Sequence, residues 1–312
     1  MSDQKVPSLE STLKSSDTEE PIDIYFYRPI GYRWALFFRK LGVTPNAVTI
    51  ASIFLGVGSG VCFYFENFWI SILGIFLLVW ANSYDSADGQ LARMTGKFSD
   101  FGRILDGFAG DIWFFSIYIA ICFRLMPLWG SAWWAIWVLA VIAGIFHSKQ
   151  ASIADYYRNV HLLFLKGKGG SELHSSKDLT VKYKELKWGK NLFDKLVAFF
   201  YCSYTKGQEN WTPNLQEMFV AIKEAFGENI PQSFRDKFRK KSLPLMKYTN
   251  ILSFNTRSIA LFISILIKQP WLYFIFELTV LNILLVYMMR KHEKVCKVFT
   301  KEIKEGKFVL DC

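Results

Sequence analysis

Cysteine and histidine are scarce in this chain: its 312 residues include five of the first and four of the second. No two cysteines stand at metal-ligand spacing, which argues against a zinc site. Cys62 and Cys122 fall in apolar runs, Cys202 and Cys296 in basic segments, and Cys312 is the last residue, not the fourth-from-last of a prenylation motif. Neither a disulfide framework nor a lipidated tail is therefore expected. An apolar h-region is also missing from the first 22 residues, which are polar and acidic, so the reading is an uncleaved, disordered tail over 1–22. Acidic residues fall short as well, 27 against 37 basic, leaving a net charge of +10. Anionic lipid headgroups attract such a chain by about 1 kcal/mol per basic residue near the surface, and no nucleic-acid partner is expected.

Apolar residues are abundant. They make up 52% of the chain, aromatics 17%, and the mean hydropathy is +0.19. They are bunched into six runs near the roughly 20 residues that a bilayer core demands: 44–65, 68–92, 102–125, 131–153, 249–267 and 270–290. Basic residues alternate with them, as cytoplasmic loops collect Lys and Arg. Arg28, Arg33, Arg39 and Lys40 precede the first run, and Arg93, Lys97 and Arg103 follow the second. The fourth is followed by a Lys-rich segment, and the sixth by Arg290 to Lys294. The fold expected is all-α, a polytopic membrane protein of six transmembrane helices with both termini on the cytoplasmic side. Between the fourth and fifth helices, residues 166–246 form a cytosolic helical insertion. It opens on the flexible Gly167–Gly170 and holds amphipathic helices at 192–200 and 215–226. Residues 298–312 form a cytosolic tail, leaving 23–165 and 247–297 as the membrane parts.

Four carboxylates interrupt this apolar pattern: Asp85, Asp88, Asp106 and Asp111. Ionised groups in such a setting are costly, which makes the cluster the candidate site. On a helix, positions 85, 88, 89 and 92 share a face, as do 102, 106, 109 and 110. With the second and third spans as antiparallel neighbours, Asp85, Asp88 and Asp106 would converge at the cytoplasmic end. Hard oxygen donors without His or Cys suit Mg²⁺ or Mn²⁺, and a two-ion site suits displacement at phosphorus. Gly89, Ala92 and Gly102 keep bulk away from the acids, and Arg93 offers a bidentate donor to phosphate.

The string Asp85-x2-Asp88-Gly89-x2-Ala92-Arg93-x8-Gly102-x3-Asp106 resembles the signature of the CDP-alcohol phosphotransferases, membrane enzymes of phospholipid synthesis. Thr44-Pro45-Asn46-Ala-Val-Thr49 resembles the start of their first span, preceded by an interfacial helix, here Tyr32 to Leu41. The resemblance covers about 25–160. It implies that Asp85, Asp88 and Asp106 hold the metals, that Gly89, Ala92, Arg93 and Gly102 form the nucleotide pocket, and that a CDP-linked donor and a lipid are the substrates. It also implies a fourth acid, metal ligand and general base, four residues after Asp106. That position is Gly110 here, and the carboxylate is Asp111. Five residues turn it about 140° from Asp106 on an ideal helix, and a π-bulge eased by Gly107 and Gly110 is the expected means of realigning it.

For the acceptor, His147, Lys149 and Arg158 at the end of the fourth span, and Arg257 in the fifth, are the candidates. Arg257 lies two turns into an apolar run and wants an anionic partner. Glu277 reads as a satisfied structural carboxylate. The resembling enzymes are often dimers, which makes a homodimer the expected assembly. The acceptor classes open at this point are small polar alcohols, their phosphates and lipid hydroxyls; one alternative is transfer of phosphoinositol to a ceramide-type lipid. Asn82-x2-Asp85-x2-Asp88 resembles an intramembrane prenyltransferase motif only faintly, without the nine spans or the second Asp motif. A cation transporter would need acids along a path through the bilayer, whereas these cluster at one end.

Overall fold

The computed structural model describes residues 7–12, 15–167, 173–187, 192–227 and 229–308. These residues form helices, with no strand among them. Two compact units divide the chain, 1–148 with 254–280 and 149–253 with 281–312.

In the first unit, α1 (Arg28–Leu41) begins with Pro29 in its first turn, where a missing N–H costs nothing, and ends at Gly42 in the left-handed conformation. α2 (Pro45–Tyr64) repeats the pattern with Thr44 as N-cap and Pro45 as first residue. Asn67 caps α3 (Phe68–Thr95) by accepting from the Trp69 and Ile70 amides at 2.9 and 3.2 Å. Ser99 caps α4 (Asp100–Leu125) by accepting from the Gly102 amide at 2.9 Å. Two short 3₁₀ turns then lead into α5 (Trp133–Lys166), whose residues up to Ser148 belong to this unit.

α2 organises the group, for α3 and α4 both pack along it. Its buried residues include the small Ser52, Gly56, Ser59 and Gly60. A Cβ on Gly56 would stand 2.1 Å from the Trp113 ring, and one on Gly60 would stand 2.4 Å from the Ser116 hydroxyl. In lipid no hydrophobic force drives helices together, so close backbone approach through such residues supplies the packing. α1 uses the same device against α3, since a Cβ on Gly31 would meet the Ser86 hydroxyl at 2.7 Å. The Trp34 ring contacts Trp80 and Tyr84.

The second unit combines α5 from Lys149 onward with α6 (Ser176–Glu185), α7 (Leu192–Trp211), α8 (Pro213–Phe226), α9 (Gln232–Ser242) and α10 (Met246–Ile251). The first unit resumes with α11 (Phe254–Leu266) and α12 (Trp271–Phe276), followed by a π-helical turn, Glu277–Leu281. α13 (Asn282–Lys304) returns to the second unit and packs on α8. Rings of Phe164, Phe234, Phe238 and Phe299 form much of that unit's core.

Five helical stretches are long and apolar enough to cross a membrane, starting at Pro45, Phe68, Ile104, Gly130 and Trp271. Their positions match five of the six expected runs. The run at 249–267 differs: α10 stops at Ile251, and α11 has 13 residues. At 1.5 Å per residue α11 is about 20 Å long, short of the roughly 30 Å hydrocarbon core. The acidic start of the chain also differs from a disordered tail in its described part. Arg28 pairs with Glu19 at 2.9 Å, Asn255 donates to Glu20 and Asp23 at 3.0 and 2.9 Å, and Tyr32 donates to the Pro7 carbonyl at 2.8 Å. Specific partners hold what composition alone leaves loose. Residues 1–6 and 13–14 of that segment, 168–170 of the glycine-rich stretch and 309–312 lie outside the described residues.

The α2 contact yields a test. Gly56→Ala forces its methyl into the Trp113 ring and is expected to cost about 1–3 kcal/mol as overpacking. Gly107→Ala, with nothing within 4 Å of its Cβ, is expected to hold or raise the thermal midpoint in detergent. Equal midpoints for Gly56→Ala and the native protein would refute the packing account.

Candidate active site

Asp85 and Asp88 project from α3 one turn apart, and Asp106 comes from α4. One carboxylate oxygen from each lies within 4.8 Å of the others. α2 packs along both helices here. Thr49 of α2 donates its hydroxyl to Asp88, which is 3% exposed. That bond fixes one oxygen of a carboxylate that apolar surroundings would otherwise disfavour. Asp106 is exposed, so the trio opens on one side.

Arg93 lies one turn beyond Gly89 on α3. The Arg93 guanidinium lies back along the helix beside Gly89, where a Cβ would make ordinary contact with its Nη2 at 3.5 Å. Arg93 Nε and Nη2 are buried and have no hydrogen-bond acceptor among the described residues. A buried guanidinium with idle donors is costly to keep, and a phosphate oxygen would satisfy it. Gly102 has a packing reason of its own: a Cβ there would meet Asn46 Oδ1 at 2.3 Å. Its absence lets the start of α4 close on the start of α2, where Asn46 donates to Ser99 at 3.3 Å. Ala92 is half-buried on the same helix.

Asp111 is not with the trio. α4 runs as an unbroken α-helix from Asp100 to Leu125, so the π-bulge expected to realign Asp111 is absent and the five-residue step leaves it turned about 140° from Asp106. It lines a separate groove between α4 and α5, together with Phe114, Tyr118 and His147. The group within 4.8 Å comprises Asp85, Asp88 and Asp106, without Asp111.

The acceptor candidates divide. His147 and Arg257 come together around Glu277, which is fully buried. Arg257 donates to Glu277 at 2.7 Å, Tyr273 at 2.7 Å, and Tyr118 also donates to it. His147 Nδ1 lies 2.8 Å from the same carboxylate. Arg257 thus has the anionic partner its position demands, supplied by the turn after α12. Lys149 and Arg158 belong to the second unit: Lys149 lies over the Trp211 ring at 5.9 Å, and Arg158 donates to Ser253 and Asn250 at 2.6 and 3.4 Å. Tyr118 and the role of Thr49 carry no sequence signal, because their carboxylate partners lie 159 and 39 residues away; Tyr273 stands one helical turn from Glu277.

The arrangement is that of an all-α polytopic membrane protein with an acid-lined site in its first helices. Residues 42–157 match the model of the CDP-alcohol phosphatidyltransferase family. Members of the family are transferases of phosphate-containing groups. Among curated proteins, an archaetidylinositol phosphate synthase of Pyrococcus horikoshii is 40% identical over 67 residues, 22% of this chain and 34% of the relative. An uncharacterized protein of Aquifex aeolicus is 44% identical over 71 residues, with the same shares covered. The chain thus spans about a third of the length of these relatives. No solved structure matches it.

The geometry separates the two kinds of aspartate. Asp88→Asn is expected to weaken Mn²⁺ binding, followed by electron paramagnetic resonance, by more than the roughly 10- to 100-fold that outer-shell changes cost. Asp111→Asn is expected to bind Mn²⁺ as the native protein does. Equal losses in both would return Asp111 to the metal set.

Proposed function

We propose that this chain transfers a substituted phosphate from a CDP-alcohol, of the CDP-diacylglycerol type, to an acceptor hydroxyl, releasing CMP and building a membrane lipid. The observation that carries the reading is the convergence of Asp85, Asp88 and Asp106 within 4.8 Å, beside an Arg93 guanidinium whose buried donors lack an acceptor. An all-oxygen trio of this kind fits Mg²⁺ or Mn²⁺. Asp85, Asp88 and Asp106 would hold the metal, Asp88 oriented by Thr49. Bound there, one or two such ions supply neutralisation of the phosphoryl oxygens and of the leaving phosphate. Arg93 orients the pyrophosphate through its planar donors. The exposed side of Asp106 leaves the trio open to the donor.

The similarity to an archaetidylinositol phosphate synthase of Pyrococcus horikoshii supports an inositol-type headgroup among the acceptors. Gly110, standing where the family's pattern has its fourth acid, favours a second reading in which the acceptor is a lipid hydroxyl, ceramide-type lipids included. The spacing of basic residues supports an active site on the cytoplasmic side.

The test is CMP release by the purified full chain with Mg²⁺ or Mn²⁺ from CDP-diacylglycerol and from CDP-alcohols, against inositol phosphate, inositol, diacylglycerol and ceramide. Metal-dependent release that disappears in Asp106→Ala is the expected result. Silence with every CDP donor would overturn the nucleotide-dependent reading.

A further inference from the structure

The second unit carries a cleft with an excess of positive charge. Lys237 and Lys241 of α9 line it together with Lys291 and Lys294 of α13, and Leu245 and Val295 are among the apolar groups beside them. The carboxylates near it are engaged. Glu302, the acid in the lining, pairs with Lys237 at 2.8 Å. Glu293 accepts from the Tyr157 hydroxyl and the Asn214 amide at 3.1 and 2.7 Å, and Asp236 accepts from Gln232 at 2.9 Å. Lys241, Lys291 and Lys294 are exposed and have no ion-pair partner among the described residues. Three like charges around one small cleft repel each other, and an anion seated between them turns that repulsion into attraction.

The place of the cleft along α13 says what kind of anion suits it. The apolar stretch that begins at Trp271 needs about 20 residues, to Arg290, to cross a hydrocarbon core of roughly 30 Å. Lys291 and Lys294 follow directly, at the level of the headgroups. At about 100° per residue, Ile283, Tyr287, Lys291, Lys294 and Val298 fall within about 80° of one another around the helix. Ile283 is 71% and Tyr287 42% exposed, so one strip of α13 presents apolar surface to acyl chains and then leads into the lysines. The rings of Tyr287 and Tyr248 meet at 5.1 Å, and Lys291 lies over the Tyr287 ring at 5.3 Å, a pairing of aromatic and basic groups typical of the membrane interface. The volume of the cleft is about 250 Å³, less than the roughly 300–1,000 Å³ of clefts that enclose a whole small molecule. It suits one part of a larger molecule.

We propose that this cleft binds the phosphate of an anionic membrane phospholipid through Lys241, Lys291 and Lys294, while one acyl chain lies along Tyr287 and Ile283. Lys237 stays with Glu302 and borders the site. The lipid there is a bound component and not a reactant. Every residue named belongs to the second unit and lies outside the 42–157 that match the family model, so the site does not depend on the phosphotransferase reading.

The test titrates the full chain in detergent micelles with dioleoyl phosphatidylglycerol or dioleoyl phosphatidylcholine and counts bound lipids by native mass spectrometry. One phosphatidylglycerol is expected to remain on the protein at concentrations where phosphatidylcholine has dissociated. Lys241→Gln combined with Lys294→Gln is expected to weaken its binding by about 30-fold, the effect of two cations at the membrane surface. Lys177→Gln combined with Lys184→Gln removes the same charge from exposed positions on α6 and is expected to leave the binding unchanged. Equal weakening by both pairs would reduce the effect to diffuse attraction and overturn the site, as would equal retention of the two lipids. Displacement of phosphatidylglycerol by an equal concentration of inorganic phosphate would make free phosphate the occupant and overturn the lipid.

Discussion

A charge placed among apolar helices must find its counter-charge there, and that constraint shapes the first unit. Arg257 and Glu277 are both buried, and each would be untenable alone, since breaking such a pair costs about 3–5 kcal/mol. They draw in His147, Tyr118 and Tyr273, so that one carboxylate ties together α4, α5, α11 and the turn after α12. The aspartate trio answers the same constraint differently. Its Asp88 is supported by the Thr49 hydroxyl and by a backbone hydrogen bond at Gly89, and a group of three carboxylates suits a hard cation. One cluster is internally neutralised, and the other has the oxygen donors to hold a metal ion.

Small residues make both clusters reachable. Gly56 and Gly60 of α2 let α4 approach closely, and Gly74 of α3 lets that helix approach Cys62 and Phe63 of α2, an arrangement in which Asp85, Asp88 and Asp106 come together. Larger residues at Gly56 or Gly60 would separate the helices before the acids could meet. The small-residue face and the metal-binding geometry are thus two aspects of one packing arrangement.

Much of this was legible in the residues themselves. Long apolar runs located five helices because hydropathy over 20 residues is a strong signal, and the i, i+3 spacing of Asp85 and Asp88 put them on one face without knowledge of the fold. In the run at 249–267, composition does not show that the chain leaves helical geometry between Ile251 and Phe254. For Asp111, the five-residue step already gave the right rotation, and the bulge invoked to correct it does not occur. Partners distant in sequence, such as Thr49 for Asp88 or Glu277 for Arg257, lie beyond any local pattern. Sequence could state that Arg257 wants an anion, but only the fold names it.

Gly31 bears on more than the fit of α1. With no side chain there, the α1 backbone rests directly on Ser86 and on the Ala87 amide, the residue before Asp88. Neither a flexible side chain nor a solvent layer lies between them to absorb movement. α1 carries exposed Phe37 and Leu41 on its other side, so a lateral force on those groups reaches the acid-bearing turn of α3 as a rigid displacement. Mechanically, the acid site has no cushion on that flank, and its geometry is only as steady as the seating of α1.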